Sequence, residues 1–327
     1  MTGTVKSMVE AIRDTLDEEL AHDHRVMVIG EDVGKSGGVF RATDNLQSKY
    51  GRDRVVDMPV SEAAIIGASI GLATSGMIPV AEMQFLGFSH QAFHQISHQL
   101  ARWRYRTNGR FHAQVTIRAP FGGGVRAPEL HSDAFENIFT QGAGLKIVAP
   151  ATAADAAGLL RSSIRDPDPV LFLEPLKGYR LVRDEVPAGD HTVPIGVARV
   201  AREGNDVTVI AWSAMVQTSL EAAERAAAAG IDVEVLDLRS LVPLDVQAIA
   251  ESVAKTGRAV VVQEAPRTGG FASEVVAVIQ DEVFLSLEAP VLRVSGWDTP
   301  YPMPLVEDHF VPSVERVLAA IERTAAF

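Results

Sequence analysis

The first half of the chain alternates hydrophobic runs with segments of helical periodicity. The runs are almost continuously apolar, which is typical of parallel strands that are covered on both faces. They are Arg25–Gly30, Val55–Val60, Ile78–Phe85, Gln114–Ala119, Lys146–Pro150 and Pro169–Leu173. Between them, helical spacing of apolar residues is found in Ser7–Leu20, Ser61–Ser75, Ser89–Arg106 and Ala153–Arg165. This order predicts an α/β domain with a mostly parallel sheet.

A second unit of the same kind follows a break in the pattern. Residues 174–204 contain prolines and scattered glycines without a clear period, which is typical of a connection between domains. Strands and helices then alternate from Val207 to a final helix at Ser313–Ala325. We therefore predict an α/β protein of two domains, each a mostly parallel sheet with helices on both faces. The predicted boundaries are 1–185 and 206–327, with a linker at 186–205.

Composition and charge exclude several classes of protein. Lys and Arg total 30 against 42 Asp and Glu, and the formal net charge of −12 argues against nonspecific binding to nucleic acid or anionic membranes. Cysteine is absent, which excludes disulfides, thiolate metal sites and a cysteine nucleophile. The acidic N-terminal segment does not resemble a targeting peptide, and no apolar stretch reaches the roughly 18 residues of a spanning helix. We expect a soluble, cytoplasmic protein.

One short motif suggests a serine hydrolase. Residues 67–71 read Gly-Ala-Ser-Ile-Gly and match the G-x-S-x-G nucleophile elbow, which places its serine at a strand-to-helix turn. Ser61 is a good N-cap, so Ser69 falls in the third turn of the predicted helix instead. We interpret Gly67 and Gly71 as positions of close helix packing and keep a hydrolase that uses Ser69 as a distant alternative.

Three histidines recur at a spacing of four residues. His90, His94 and His98 would share one face of the predicted helix and could ligate a metal. The segment His94–His98 is similar to H-E-x-x-H, but Gln95 occupies the place of the general base and cannot accept a proton. We interpret the three residues as a polar helix face or an interface cluster.

Glu62 and His131 are the two strongest candidates for chemistry. His131 follows the glycine-rich residues 121–125, which come directly after a predicted strand, so it is either an active-site residue or a surface histidine in a loop. Glu62 begins a helix behind a strand. It is either a first-turn acid that favours the helix dipole or a desolvated carboxylate suited to acid–base work. The position in the sequence does not decide between the two interpretations of either residue.

Stretches that match one family in order run along almost the whole chain, at residues 30–33, 37–40, 59–62, 81–85, 104–106, 131–132, 144–148, 172–175, 237–243 and 264–271. The chain is similar to the β subunit of the thiamine-diphosphate-dependent decarboxylating component of 2-oxo acid dehydrogenase complexes. That resemblance implies a transketolase-like pyrimidine-binding domain followed by a transketolase C-terminal domain. The C-terminal matches, together with Leu287–Pro290, favour the branched-chain type over the pyruvate type.

The resemblance also implies roles for individual residues. Glu62 matches the glutamate that hydrogen-bonds N1′ of the cofactor's aminopyrimidine, and His131 matches a histidine that assists acyl transfer to lipoamide. Val60, Gln84 and Phe88 fall at further cofactor-lining positions. A structural potassium site of relatives falls at Val115, Thr116, Ser163, Asp166 and Asp168. This sequence departs from relatives at His94, His98, Asp133 and Phe88.

A thiamine enzyme also needs a diphosphate–Mg²⁺ site, typically G-D-G followed by Asn, and no Gly-Asp-Gly occurs in this chain. The resemblance implies that an α subunit supplies diphosphate and Mg²⁺ binding in a tetramer of two α and two β chains. A lipoyl acyltransferase core is expected to dock on the C-terminal domain. The predicted reaction is oxidative decarboxylation of a branched-chain 2-oxo acid of the 2-oxoisovalerate type. The alternatives are a pyruvate or acetoin dehydrogenase β chain and a noncatalytic scaffold of the same fold.

Overall fold

Two mostly parallel sheets with helices packed on them form the protein, as the sequence pattern predicts. The structure is a computed structural model and describes residues 3–327. The strands in chain order are β1 (Thr4–Ser7), β2 (Val26–Gly30), β3 (Val55–Asp57), β4 (Ile78–Glu82), β5 (Thr116–Phe121), β6 (Lys146–Val148), β7 (Val170–Pro175), β8 (Arg183–Val186), β9 (Arg199–Arg202), β10 (Val207–Ala211), β11 (Val233–Asp237), β12 (Ser240–Val242), β13 (Ala259–Pro266) and β14 (Leu292–Gly296).

The helices surround these strands. In chain order they are α1 (Met8–His22), α2 (Leu46–Tyr50), α3 (Glu62–Thr74), α4 (Trp103–Arg106), α5 (Glu136–Thr140), α6 (Ala153–Arg165), α7 (Gly178–Leu181), α8 (Ala214–Ala228), α9 (Val246–Thr256), α10 (Ala272–Val283), α11 (Glu307–Phe310) and α12 (Val314–Ala325). Short 3₁₀ segments lie at Leu86–Ala92, Glu129–His131, Phe284–Ser286 and Pro304–Val306, and a π-helical segment lies at His94–Leu100.

The spatial order of the strands separates the two units. The first sheet runs β12-β6-β7-β5-β4-β2-β3, and the second runs β14-β13-β10-β11-β9. Within them only β12 and β9 pair antiparallel, each at a sheet edge, and β1 with β8 forms a separate antiparallel ribbon within residues 3–327. The central strands are completely buried, as continuous apolar runs require when helices cover both faces.

Local capping explains where several long helices begin. Ser7 and Glu10 form a reciprocal capping box at the start of α1. Thr152, Asp245 and Ser313 cap α6, α9 and α12 through their side chains. These signals are readable in the sequence, and α1, α6 and α12 begin within one residue of their predicted starts.

The helix predicted for Ser89–Arg106 is wrong as one continuous element. The chain instead passes through a 3₁₀ segment, the π-helical segment and the short helix α4. The Ala101 N–H, for example, donates to the Ile96 carbonyl at 2.9 Å, a bond that spans five residues. Ile96 and Leu100 are fully buried in the first-sheet core, so tertiary packing overrides the regular helical period.

The strand β12 ties the second half of the chain to the first sheet. It pairs with β6 through Ser240 and Val148, about 90 residues apart in sequence. Charged side chains reinforce the junction: Arg239 donates to Asp155 of α6 at 3.0 Å, and Arg199 of β9 pairs with the same carboxylate at 3.4 Å. The two sheets therefore meet through paired strands and charged side chains.

Buried carboxylates of the second domain predict lower stability at alkaline pH. Burial raises the pKa of Asp237 to about 7, with Asp155 adding to the shift, and burial raises the pKa of Glu264 to about 7. An acid whose pKa rises on folding stabilises the fold below its unfolded pKa, near 4, and that stabilisation is lost as pH rises through about 7. For Asp237 the loss is on the order of 4 kcal/mol at most.

We therefore expect the purified protein to unfold at lower urea concentration at pH 8 than at pH 5.5. The Asp237→Asn variant removes one titrating group, so its stability should change less over the same range. Equal stability at both pH values, or an unchanged pH dependence in the variant, would contradict this account.

Candidate functional site

Four neighbouring strands of the first sheet end at one edge, and the candidate residues follow them. β5, β4, β2 and β3 are adjacent and mutually parallel. Glu31 comes directly after β2, Glu62 begins the helix after β3, and Gln84 lies two residues beyond β4. His131 lies on the connection that leaves β5. Ligands of open α/β sheets bind outside the carboxyl ends of the strands, so this edge is the candidate site.

Glu62 lies at the start of α3, where a negative charge is favoured. Its side chain is half-buried, and the preceding Ser61 accepts the N–H groups of Ala64 and Ile65 on its carbonyl, both at 3.0 Å. The free N–H groups and the dipole of the helix stabilise a carboxylate there. Val60 stands just before, with 82% of its surface exposed. An acid beside an exposed apolar residue offers surface to a ligand or to a second chain.

His131 rests against aromatic rings that follow β4. Its ring centroid lies 4.6 Å from that of Phe85 and 5.0 Å from that of Phe88, with edge-on geometry in both cases. Its Nδ1 atom is buried and has no hydrogen-bond partner within residues 3–327. A Cβ atom at Gly87 would collide with the carbonyl of Leu130, so glycine there permits the close approach of the histidine's 3₁₀ turn. The structure thus brings His131 and Phe88 together.

Glu31 is a site residue that the sequence reasoning did not single out. Burial raises the pKa of Glu31, and the negative charges of Glu62 and Asp32 raise it further. Its Oε1 atom is buried without a partner within residues 3–327. Two carboxylates therefore lie near each other at this edge. In the sequence, the feature that could have indicated Glu31 is its position immediately after a run of apolar residues.

The predicted potassium residues lie away from this edge, around the start of β5 and the end of α6. Val115, Thr116 and Ser163 are buried, and the Thr116 hydroxyl has no partner within the described chain. The two carboxylates are already paired: Asp166 with Lys146 at 2.6 Å and Asp168 with Arg104 at 2.6 Å. This site stays a prediction.

Ser69 does not form a nucleophile elbow. It is completely buried in the middle of α3, and its hydroxyl donates to the Ile65 carbonyl at 2.8 Å. A serine nucleophile needs access to substrate and a neighbouring base. The hydrolase alternative is therefore wrong, because substrate cannot reach Ser69 and the residue lies inside a helix rather than at a strand-to-helix turn.

The histidine series does not form a common ligand set. His90 stacks on Phe135 at 5.0 Å, whereas His94 and His98 stack on each other at 5.3 Å. Across residues 3–327, no three His, Asp or Glu side chains are grouped so that they could hold a metal ion together. The interpretation of these residues as an interface cluster stays a prediction.

Comparisons with known proteins identify both domains. Residues 5–181 match the family described as Transketolase, pyrimidine binding domain, and residues 196–317 match Transketolase, C-terminal domain. The pyruvate dehydrogenase E1 component subunit beta of Bacillus subtilis is 50% identical over 98% of this chain and 99% of its own length. The protein of the same name from Staphylococcus aureus strain Mu50 shows the same identity and coverage. A solved structure, "Split gene transketolase, inactive beta4 tetramer", is 26% identical, with a TM-score of 0.81 over 98% of both chains.

Proposed function

The chain belongs to the β subunits of the E1 components of thiamine-diphosphate-dependent 2-oxo acid dehydrogenases, and on that basis we propose that it is the β chain of a pyruvate dehydrogenase. With an α subunit it would decarboxylate pyruvate oxidatively and transfer the acetyl group to lipoamide. The observation that carries the proposal is 50% identity over nearly the full length to pyruvate dehydrogenase relatives. The branched-chain substrate expected from the C-terminal motifs is not supported by these relatives, and the pyruvate alternative replaces it.

The edge residues suit the aminopyrimidine half of thiamine diphosphate. The half-buried Glu62 carboxylate and the half-buried Phe88 ring supply a proton acceptor and a stacking surface. Unpartnered buried atoms of Glu31 and His131 leave polar groups for a ligand to satisfy. When bound, the cofactor supplies the nucleophilic carbon and the electron sink of the reaction. The chain's own contribution is to hold and orient that cofactor.

In this proposal Glu62 and His131 handle protons at two stages. Glu62 would share one proton with N1′ of the aminopyrimidine through a hydrogen bond, which would activate the cofactor. Gln84 and Val60 line the same ring. His131 would orient the lipoyl group or give it a proton during acyl transfer. Both residues follow strands that end at the same edge of the first sheet.

An α subunit is proposed as the partner that completes this site. The sequence has no Gly-Asp-Gly motif, so diphosphate and Mg²⁺ would be held by the α chain in an assembly of two α and two β chains. On α3, Ala64, Gly67 and Gly71 are exposed side by side, and a Cβ atom at either glycine would meet nothing within 4 Å. These small residues leave room for a close-packed neighbour from outside the chain.

The acyltransferase core and the cellular location are also proposed from the family. The second domain exposes large apolar side chains at Leu285, Met303 and Leu305, where a lipoyl acyltransferase core could dock. Every helix in residues 3–327 is too short or too polar to cross a bilayer. A cytoplasmic location stays a prediction.

The substrate is tested by coexpression with the α subunit. We expect decarboxylation of pyruvate with kcat/KM at least about 10-fold above that for 2-oxoisovalerate, because discrimination of about 10- to 200-fold per methylene is usual in apolar pockets. Release of CO₂ from each acid is the measurement. Preference for 2-oxoisovalerate would restore the branched-chain assignment. Absence of activity with every 2-oxo acid would favour the noncatalytic scaffold.

A further inference from the structure

The loop that carries His131 is held at its base by the second domain. We call residues 122–133 the histidine loop. A hydrogen bond joins its two end residues: the Gly122 N–H donates to the Asp133 carbonyl at 3.3 Å. The Gly123 N–H donates to Glu264 of β13. The loop belongs to the first domain in sequence but finds buried acceptors in the second.

The carboxylate of Glu307 in α11 accepts two hydrogen bonds from the same loop, one on each oxygen. Its Oε1 accepts the Gly124 N–H at 3.0 Å, and its Oε2 accepts the Arg126 N–H at 3.2 Å. Glu307 itself is only 2% exposed, and hydrogen bonds to a charged carboxylate are stronger than those between neutral groups. Both carboxylate oxygens thus act on backbone atoms of the loop.

The loop backbone adopts conformations that it would not hold alone. Arg126 has φ of +56°, in the left-handed region, which costs a non-glycine residue on the order of 1 kcal/mol or more. Gly124 has φ of +90°, and a Cβ atom at Gly123 would collide with the Tyr301 hydroxyl. Contacts with the second domain therefore decide the shape of this segment.

The far end of the loop rests on the first domain. The turn Glu129–His131 places the histidine ring against Phe85 and Phe88, and the Leu130 carbonyl packs on Gly87. Four residues separate Arg126 from His131, among them Pro128, whose ring restricts the backbone. A shift at the base of the loop is consequently transmitted to the histidine.

We propose that Glu307 is a positioning residue for His131: a second-domain carboxylate that holds the histidine loop in the geometry required for acyl transfer. This inference rests on the proposed function, because it concerns the step that His131 would assist. Decarboxylation uses Glu62 on a different connection, so it does not depend on the loop. Decarboxylation and acyl transfer should therefore respond differently to loss of the hydrogen bonds between Glu307 and the histidine loop.

The test uses the assembled α and β chains with the Glu307→Gln variant. Glutamine keeps one oxygen acceptor, but its amide nitrogen faces an N–H donor and repels it. We expect kcat for acylation of a free lipoyl domain to fall by about 10- to 100-fold, because a displacement of about 1 Å costs up to about 100-fold. Oxidative decarboxylation with ferricyanide in place of lipoamide should stay within about twofold of the wild type.

Asp308→Asn is the matched control on the neighbouring residue. Asp308 pairs with the Arg126 guanidinium at 2.7 Å, but both side chains are exposed and the backbone is not involved. We expect both half-reactions of this variant to match the wild type. Hydrogen exchange of the peptide 122–133 should accelerate in Glu307→Gln and stay unchanged in Asp308→Asn. An equal loss in both half-reactions, or no loss in either, would overturn the proposal.

A second variant keeps the test decisive if Glu307→Gln does not fold. Gly124→Ala leaves Glu307 intact, but the positive φ disfavours alanine and the new Cβ atom would lie 2.8 Å from the Lys177 Cβ. We expect the same selective loss of acylation, and full acylation activity would overturn the proposal. If the wild type itself lacks ferricyanide activity, the proposed function fails instead, and the two failures are thereby distinguished.

Discussion

Replacing Glu62 with Gln is expected to lower decarboxylation by the assembled enzyme at least about 100-fold, because proton transfer by a positioned side chain contributes about 10²- to 10⁴-fold. Glutamine has the size of glutamate and keeps a hydrogen-bonding group, but it cannot hold the shared proton. The side chain is half-buried at the start of α3, so the substitution leaves the helix and its packing in place. Ferricyanide-coupled turnover of pyruvate at saturating thiamine diphosphate is the measurement.

Glu224→Gln provides the matched control for this experiment. Glu224 is an exposed glutamate on α8, in the second domain, and its replacement should leave turnover unchanged. Cofactor affinity of Glu62→Gln should change far less than its turnover, which separates activation from binding. Wild-type turnover in Glu62→Gln would show that Glu62 is not the activating residue.

The largest expected loss of stability follows from replacing Arg118 with Met. Arg118 in β5 is completely buried and bonds two carboxylates, Glu82 at 2.5 Å and Glu174 at 2.7 and 2.9 Å. Glu174 also accepts the Tyr179 hydroxyl. Burial already raises the pKa of Glu82, and Arg118 opposes that shift. Without the guanidinium, two acids would remain buried and unpaired, which costs about 3–5 kcal/mol.

Urea unfolding of Arg118→Met beside Arg225→Met measures this loss. Arg225 pairs with Glu221 and Glu315 on the surface, where all three side chains are exposed, so its replacement should cost less than about 1 kcal/mol. Similar unfolding midpoints for the two variants would show that the buried network is not what stabilises β5. Because β5 leads directly into the histidine loop, acylation should weaken in Arg118→Met as well.

Much of the fold was predictable because its signals are local. The continuous apolar runs of the central strands and the capping serines and threonines act through neighbours a few residues away. The same local reasoning located Glu62 and His131 after strands of one parallel sheet. It failed for Ser89–Arg106, where the buried Ile96 and Leu100 reshape a helical pattern into 3₁₀ and π segments.

Other features depend on partners far away in the chain, and the local pattern carries no signal for them. The pairing of β12 with β6 joins residues about 90 positions apart. The ion network of Arg118 joins three strand positions whose side chains look unremarkable in sequence. The raised pKa of Glu31 arises from burial next to Glu62, which only the packed structure creates.

The sequence by itself determined the two α/β domains and the family, and it predicted Glu62 and His131 as site residues, because periodicity, capping and motif order are properties of the chain. The tertiary structure alone decided that Ser69 is inaccessible and that His131 packs on Phe85 and Phe88. It also decided that Glu307 accepts hydrogen bonds from the histidine loop. The physical reason is that burial, charge pairing and loop geometry depend on distances between residues that are remote in sequence, and folding is what sets those distances.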